Sequence, residues 1–260
     1  MNVGRSGRKA GSCRSAACAG TMSRAARAVR RSCSCTDTAT AGAASSRFCR
    51  PSRTVSRVFA LDQRGHGLTG EAERYGIGDL TDDAMAFLEA IADGPIHLVG
   101  HSLGSIVVQR VAEQRSKLLR SLSLIAAAPM AAGNATLKAL RAELGDRVTD
   151  KFIDTFQTAD FEGRTREDRR RALVDPCRRM TARTWLETLD GLLGKRRTTA
   201  PGYIWLPALS LFGSRDGIFD RVAQVALMLE IRDACLLVSI CKSRRRRSFR
   251  EAGRRLPEQS

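Results

Sequence analysis

The stretch IHLVGHSLGSIVVQ, Ile96 to Gln109, decides how the rest of the chain is read. An apolar run of strand length passes through Gly100-His101-Ser102-Leu103-Gly104 into a run with the apolar spacing of a helix. The pattern is G-x-S-x-G between a strand and a helix, and that placement separates it from a chance match. Ser102 must sit on a sharp, strained turn, with small residues two before and two after it so that strand and helix can approach. The turn lifts the serine Oγ above the sheet at the positive end of the following helix. The Leu103 N–H then becomes a donor for an oxyanion. Ser102 is therefore the candidate nucleophile, and Gly100, His101 and Gly104 are the turn that presents it. A serine nucleophile needs a base, yet the three histidines, His66, His97 and His101, all precede Ser102.

Outward from this turn the chain alternates strands and helices. RVFALD (57–62) is a short apolar strand ending in an acid, followed by the glycine-rich turn QRGHGLTG. DLTDDAMAFLEAIA (79–92) predicts an amphipathic helix with Thr81 as its N-cap. SIVVQRVAEQRSKLL (105–119) predicts a helix, and SLSLIAAAP (121–129) and PALSLFG (207–213) predict further strands. Such alternation implies a mostly parallel sheet with helices on both faces. Between Met130 and Tyr203 no strand pattern appears; ATLKALRAEL, VTDKFIDTF and TARTWLETLDGLL predict short helices of an inserted lid. The run Arg169-Arg170-Arg171 there reads as a solvated helix face. Downstream, VAQVALMLEIRDACLLVS predicts one more helix and strand.

Three segments, RVFALDQRGHG (57–67), HLVGHSLGS (97–105) and LSLFGSRDGIF (209–219), together resemble the α/β-hydrolase family in order and rough spacing, across about three-fifths of the chain. The resemblance implies an esterase- or lipase-like serine hydrolase with a lid; a serine nucleophile argues against the dehalogenase and epoxide-hydrolase branches, which use aspartate. It places the triad acid at Asp216, in the turn after a strand, where it would orient the base. Asp220 is the nearest competitor, and a turn aspartate capping its own loop is the alternative reading. Asp62 and His66 match a D-x-R-G-H-G turn that is usually structural. His97 is expected to pack along its strand, and the His101 side chain to point away from the site.

The two ends do not fit. The net charge is +17, yet residues 58–220 are neutral: residues 1–57 hold 12 Lys/Arg against one acid, and residues 221–260 hold 10 basic residues against 4 acidic ones. Seven of the eight cysteines also fall in these ends, Cys177 being the exception. The expected organisation is a basic, irregular segment over 1–56, hydrolase core over 57–130 and 204–238, the lid over 131–203, and a basic tail over 239–260. The family's acyl-enzyme chemistry wants an apolar strand ending in His-Gly near the N-terminus and a histidine after the acid. No histidine follows Asp216, and no such strand precedes Arg57.

Arg, Ser, Ala and Cys enrichment without periodicity is what a GC-rich gene yields in a displaced reading frame. Joining the third base of each codon to the first two of the next, from Arg31 to Arg47, permits Val-Val-Leu-Leu-His-Gly-Tyr-Gly-Asp-Ser-Trp-Arg-Ser-Phe-Glu-Pro, so both ends are expected to be frame-displaced. Residues 235–260 give no unique reading. A transit peptide is the rival account of the N-terminus.

The expected function is hydrolysis of an ester or related acyl bond in a small-molecule substrate, with catalysis impaired in this chain. A non-catalytic hydrolase-fold binding protein and a basic-tailed nucleic-acid-associated protein are the alternatives. Cys33-Ser-Cys35 is too tight for a zinc or redox pair, so no metal is expected. No organic cofactor, specific nucleic-acid partner or membrane span is expected either, and the expected location is cytoplasmic.

Overall fold

The computed structural model describes residues 25–35, 56–144, 147–158, 167–194, 203–214, 216–231 and 234–239. Within them β1 (Ala25–Cys35), β2 (Ser56–Leu61), β3 (Ile96–His101), β4 (Leu119–Ile125), β5 (Ala208–Gly213) and β6 (Ala234–Ser239) form one sheet. Its order is β2-β1-β3-β4-β5-β6, and every adjacent pair is parallel. All the strands therefore end on the same edge, which collects the turns that follow them.

Parallel strands need helical crossovers. Among the described residues, α1 (Ile77–Ile91) links β2 to β3, and α2 (Leu103–Arg115) links β3 to β4. The two pack on each other, and α2 lies against both β3 and β4. Leu80, Leu88, Leu98, Leu103, Val107, Val108, Leu122 and Leu124 are all buried in the shared core. A last crossover, α7 (Arg221–Glu230), leads into β6.

The start of α1 differs from the expectation. It begins at Ile77, with Gly76 as N-cap, and the Asp79 carboxylate accepts from the Gly76 N–H at 3.1 Å. Thr81 instead lies inside the helix, buried, and its hydroxyl donates to the Ile77 carbonyl at 2.6 Å. A threonine can back-bond within a helix as well as cap one, so its identity alone did not locate the terminus.

Between β4 and β5 the described residues form four helices, α3 (Ala135–Leu144), α4 (Asp150–Thr158), α5 (Glu167–Arg178) and α6 (Ala182–Gly194). Three match the predicted segments. The fourth, α5, has an internal proline, Pro176, and few apolar residues, which hid its period. It carries the arginine run, and there Arg170 pairs with Asp154 of α4 while Arg171 pairs with Glu167 at 2.9 Å. The bond from Arg171 holds the Glu167 carboxyl below the ordinary carboxylate range. Phe152, Phe156 and Trp185 make the insertion's own aromatic cluster, with ring centroids 5.6 to 6.0 Å apart. Contacts between α6 and α1 tie the insertion to the core.

The segment 1–56, expected to be irregular, contributes β1, and that strand lies inside the sheet. For Ala25–Cys35 the expectation is corrected: pairing on both edges overrides a sequence without strand periodicity. The remainder of 1–55, and the tail beyond Ser239, lie outside the described residues. No helix among the described residues is long and apolar enough to cross a membrane.

Candidate active site

Ser102 leaves β3 and enters α2 with φ 50° and ψ −118°. A non-glycine residue in this region carries strain of about 1–3 kcal/mol, so the surroundings must impose it. The Ser102 N–H donates to the Ile125 carbonyl at the end of β4, 2.9 Å away. Its carbonyl accepts from both the N–H and the hydroxyl of Ser105, at 2.8 and 2.6 Å. The turn is thus clamped to the neighbouring strand on one side and to the helix on the other.

Gly100 shows why the pattern needs small residues. A Cβ there would lie 2.4 Å from the Gly104 carbonyl oxygen and 2.6 Å from a methyl of Val108. Helix and strand approach so closely that no side chain fits between them. Leu103 is fully buried, and its N–H lies in the first turn of α2, where amide groups have no intrahelical acceptor. The Ser102 side chain therefore stands at a helix N-terminus beside amide donors, the arrangement that favours a developing negative charge.

Asp216 lies in the turn after β5. Its N–H donates to the Gly213 carbonyl at 3.0 Å, and its Oδ1 accepts from the N–H groups of Ile218 and Phe219, each at 2.9 Å. That single oxygen fixes the loop. Asp220 is occupied as the N-cap of α7, accepting from the Ala223 N–H at 2.9 Å. Asp220 starts a helix, while Asp216 sits at the sheet edge that also carries Ser102 and its Oδ1 caps its own loop.

The histidines are placed elsewhere in the hydrogen-bond network. His97 Nδ1 bonds the Ser121 hydroxyl on the adjacent strand at 2.7 Å. His66 is buried, its Nδ1 2.8 Å from the Arg64 carbonyl, inside the D-x-R-G-H-G turn. That turn is a built structure. Thr69 donates to the Asp62 carbonyl at 2.6 Å, and Arg64 forks onto Asp83 of α1 at 2.6 and 2.8 Å. Gly65 takes φ 70°, where a Cβ would meet Tyr75 at 2.5 Å and Thr184 of the insertion at 2.7 Å. His101 is half-buried in the elbow itself.

Three residues that sequence reasoning missed brace the site. Gln109, buried in α2, donates to the carbonyls of Ser105 and Ala128, each at 3.0 Å. Gln224, fully buried in α7, donates to the Ala127 carbonyl and accepts from the Ser210 hydroxyl at 2.9 Å. Together they hold the loop after β4 that meets the elbow. Asn134 donates to the Ile218 carbonyl at 2.7 Å and accepts from the Leu137 N–H at 2.9 Å, joining the insertion to the Asp216 loop. Their signal in sequence was faint: a glutamine at an otherwise apolar helix position. No group of three or more His, Cys, Asp or Glu among the described residues could hold a metal ion.

A parallel sheet, a strained serine at the strand-to-helix turn and an acidic turn two strands away define the architecture of the hydrolases that use a nucleophile elbow. The model of the alpha/beta hydrolase family matches residues 40–248, and the chain belongs to that family. Among solved structures, an esterase from Exiguobacterium antarcticum superposes with a TM-score of 0.74 at 13% identity, over 84% of this chain and 87% of that one. The enol-lactonase of Burkholderia xenovorans LB400 gives 0.71 at 16% identity, over 86% and 90%. Among curated relatives, the dihydrolipoyllysine-residue acetyltransferase component of the acetoin cleaving system of Pseudomonas putida is 28% identical over 134 residues, 51% of this chain. The 2-(acetamidomethylene)succinate hydrolase of Mesorhizobium japonicum is 39% identical over 69 residues, 26% of this chain. These matches span 32% and 25% of the relatives' own lengths.

Proposed function

We propose that the chain is built on a serine hydrolase of ester or related acyl bonds in small molecules, and that catalysis is severely impaired in it. The observation that carries the reading is the backbone of Ser102: strain at φ 50° is kept in place by three hydrogen bonds and a glycine that admits no Cβ. Ala126, in the turn after β4, also takes a positive φ of 48°, so it is the placement of a serine in this conformation between a strand end and a helix N-terminus that supports a presented nucleophile.

In the reaction, Ser102 Oγ bonds to the acyl carbon while its proton passes to a base. The carbonyl oxygen becomes an oxyanion that accepts from the Leu103 N–H. The tetrahedral adduct collapses as the leaving group departs with a proton, and water then releases the acyl group by the same steps in reverse. Asp216 would orient an imidazole lying between the two strand ends. With strands about 4.8 Å apart, the elbow and the acid turn stand roughly 10 Å apart at the backbone, a span that two side chains and one imidazole fill. No histidine follows Asp216 in this chain, so the Oγ proton passes to water instead. Loss of the base lowers turnover roughly 10⁴–10⁶-fold below a complete triad.

The test is ester turnover by the full chain beside Ser102→Ala. The expected result, with free imidazole supplied as the base, is hydrolysis above the rate of imidazole alone that the substitution abolishes. Imidazole-stimulated hydrolysis unchanged by Ser102→Ala would overturn the assignment. The missing base also favours a second reading, a hydrolase-fold protein that binds its ligand without cleaving it; ligand binding with no turnover above Ser102→Ala would support that reading instead.

A further inference from the structure

The last crossover helix, α7, has inverted polarity. Between Arg221 and Glu230 at its ends it reads VAQVALML. The one polar residue of that run, Gln224, is fully buried, donating to the Ala127 carbonyl and accepting from the Ser210 hydroxyl. At about 100° per residue, Gln224 and Leu227 share the inner face, which the buried Ile231 continues. The outer face carries Val222, Val225, Ala226 and Leu229, with no charge among them. Val222 is 74% exposed, Val225 49% and Leu229 72%. A surface helix puts polar residues outward, and a helix apolar all round belongs in a buried setting. The apolar surface continues past the helix end. Ile231 pairs with Ile204 in an isolated parallel bridge, and the residues on either side of Ile204, Tyr203 and Trp205, are 57% and 64% exposed. Single exposed apolar residues are ordinary, whereas a contiguous cluster marks a contact surface.

We infer that this face is the contact between two copies of the chain, with α7 of one packed antiparallel on α7 of the other about a twofold axis. The stripe is self-complementary, as a twofold contact requires. An axis between Val225 and Ala226 sets Val222 level with Leu229 of the other copy and Val225 level with Ala226. The same register sets Arg221 level with Glu230, and so brings each acidic helix end to the basic, positive end of the other helix. A parallel arrangement would put like charge beside like. The area is also of the right order. Five exposed side chains, two of them aromatic, present on the order of 500–600 Å² per copy, most of the ~800 Å² per partner that a standard stable interface buries. Tyrosine and tryptophan are among the residues enriched at such interfaces. The tail of the chain is a poorer match for an uncharged face. Residues 240–260 hold eight Lys/Arg, with Ile240, Phe249 and Leu256 as their only large apolar residues apart from Pro257. The inference is independent of the chemistry at Ser102, although the contact backs the helix whose inner face braces the loop after β4.

Sedimentation equilibrium of the full chain at micromolar concentration tests it. The expected mass is twice the 28.4 kDa of one chain. It should halve in the double variant Val225→Glu, Leu229→Glu, whose circular dichroism should match the parent because both positions are exposed. A second variant, Ala226→Cys, puts a thiol beside the axis. Mild oxidation should join two copies through it, and peptide mass should place the disulfide between two α7 segments. A parent that sediments as one copy overturns the inference. A dimer that persists in the folded double variant overturns it too, because the contact then lies on another face. If the double variant loses its fold, the disulfide decides, and its absence overturns the inference. A thiol at position 226 that pairs instead with Cys241 of the same copy also overturns it and assigns the face to the chain's own tail.

Discussion

β1 and β3 are neighbours in one sheet, and they are opposites. In β3 every level of description agrees: an apolar strand, a glycine where the helix presses closest, a strained serine and a helix that caps it. In β1 the pairing partners are in place on both edges, but the residue types are those of a solvated tail. The comparison teaches that a strand's position can be specified by its neighbours. Natural sequences are locally consistent with their folds, and β1, one strand in from the β2 edge, departs from that rule.

The contrast can be broken by exchanging the two characters. Leu98→Arg puts a charge into the intact strand, where Leu98 is 1% exposed. An uncompensated buried charge is among the most destabilising changes, and the expected outcome is no cooperative unfolding transition by circular dichroism. Gly100→Ala tests the packing that makes the elbow. With backbone 2.4 Å from the new Cβ, it should lower stability by about 3 kcal/mol in urea unfolding. Gln224→Leu removes the brace under the loop after β4 and leaves the Ala127 carbonyl and Ser210 hydroxyl without their partner. The expected loss is about 1–3 kcal/mol. Arg31→Val should act in the opposite direction, raising the urea midpoint by up to about 1 kcal/mol in stability. If Arg31→Val destabilises the protein, the view of β1 as a misfit in its place is wrong.

The core from Arg57 to Gly213 was legible because its signals are local. Apolar runs, glycine turns and the G-x-S-x-G pattern each act within a few residues, and the predicted strand positions agree with β2 to β5 within two residues at all but the C-terminal end of β4, which the sequence carried on to Pro129. Ser102 could be singled out by its neighbours alone. What stayed hidden depends on partners far away in the chain. Thr81 is a different case: it was given the cap by its residue type, whereas Gly76 caps the helix and Asp79 reaches back to the Gly76 N–H. α5 was missed because pairing between Arg170 and Asp154, not apolar periodicity, accompanies its packing on α4. The braces Gln109, Gln224 and Asn134 meet carbonyls 4 to 97 positions away, and a sequence does not print such distances. β1 was missed for a different reason, since its own residues argue against the strand they form.

The central claim is that this chain presents a built nucleophile without a base to activate it. Its most direct test is the rate of fluorophosphonate labelling at Ser102, located by peptide mass, with and without free imidazole. The account predicts slow labelling that imidazole accelerates and Ser102→Ala abolishes. Fast labelling of Ser102 without imidazole would contradict it, because the chain would then hold a base of its own.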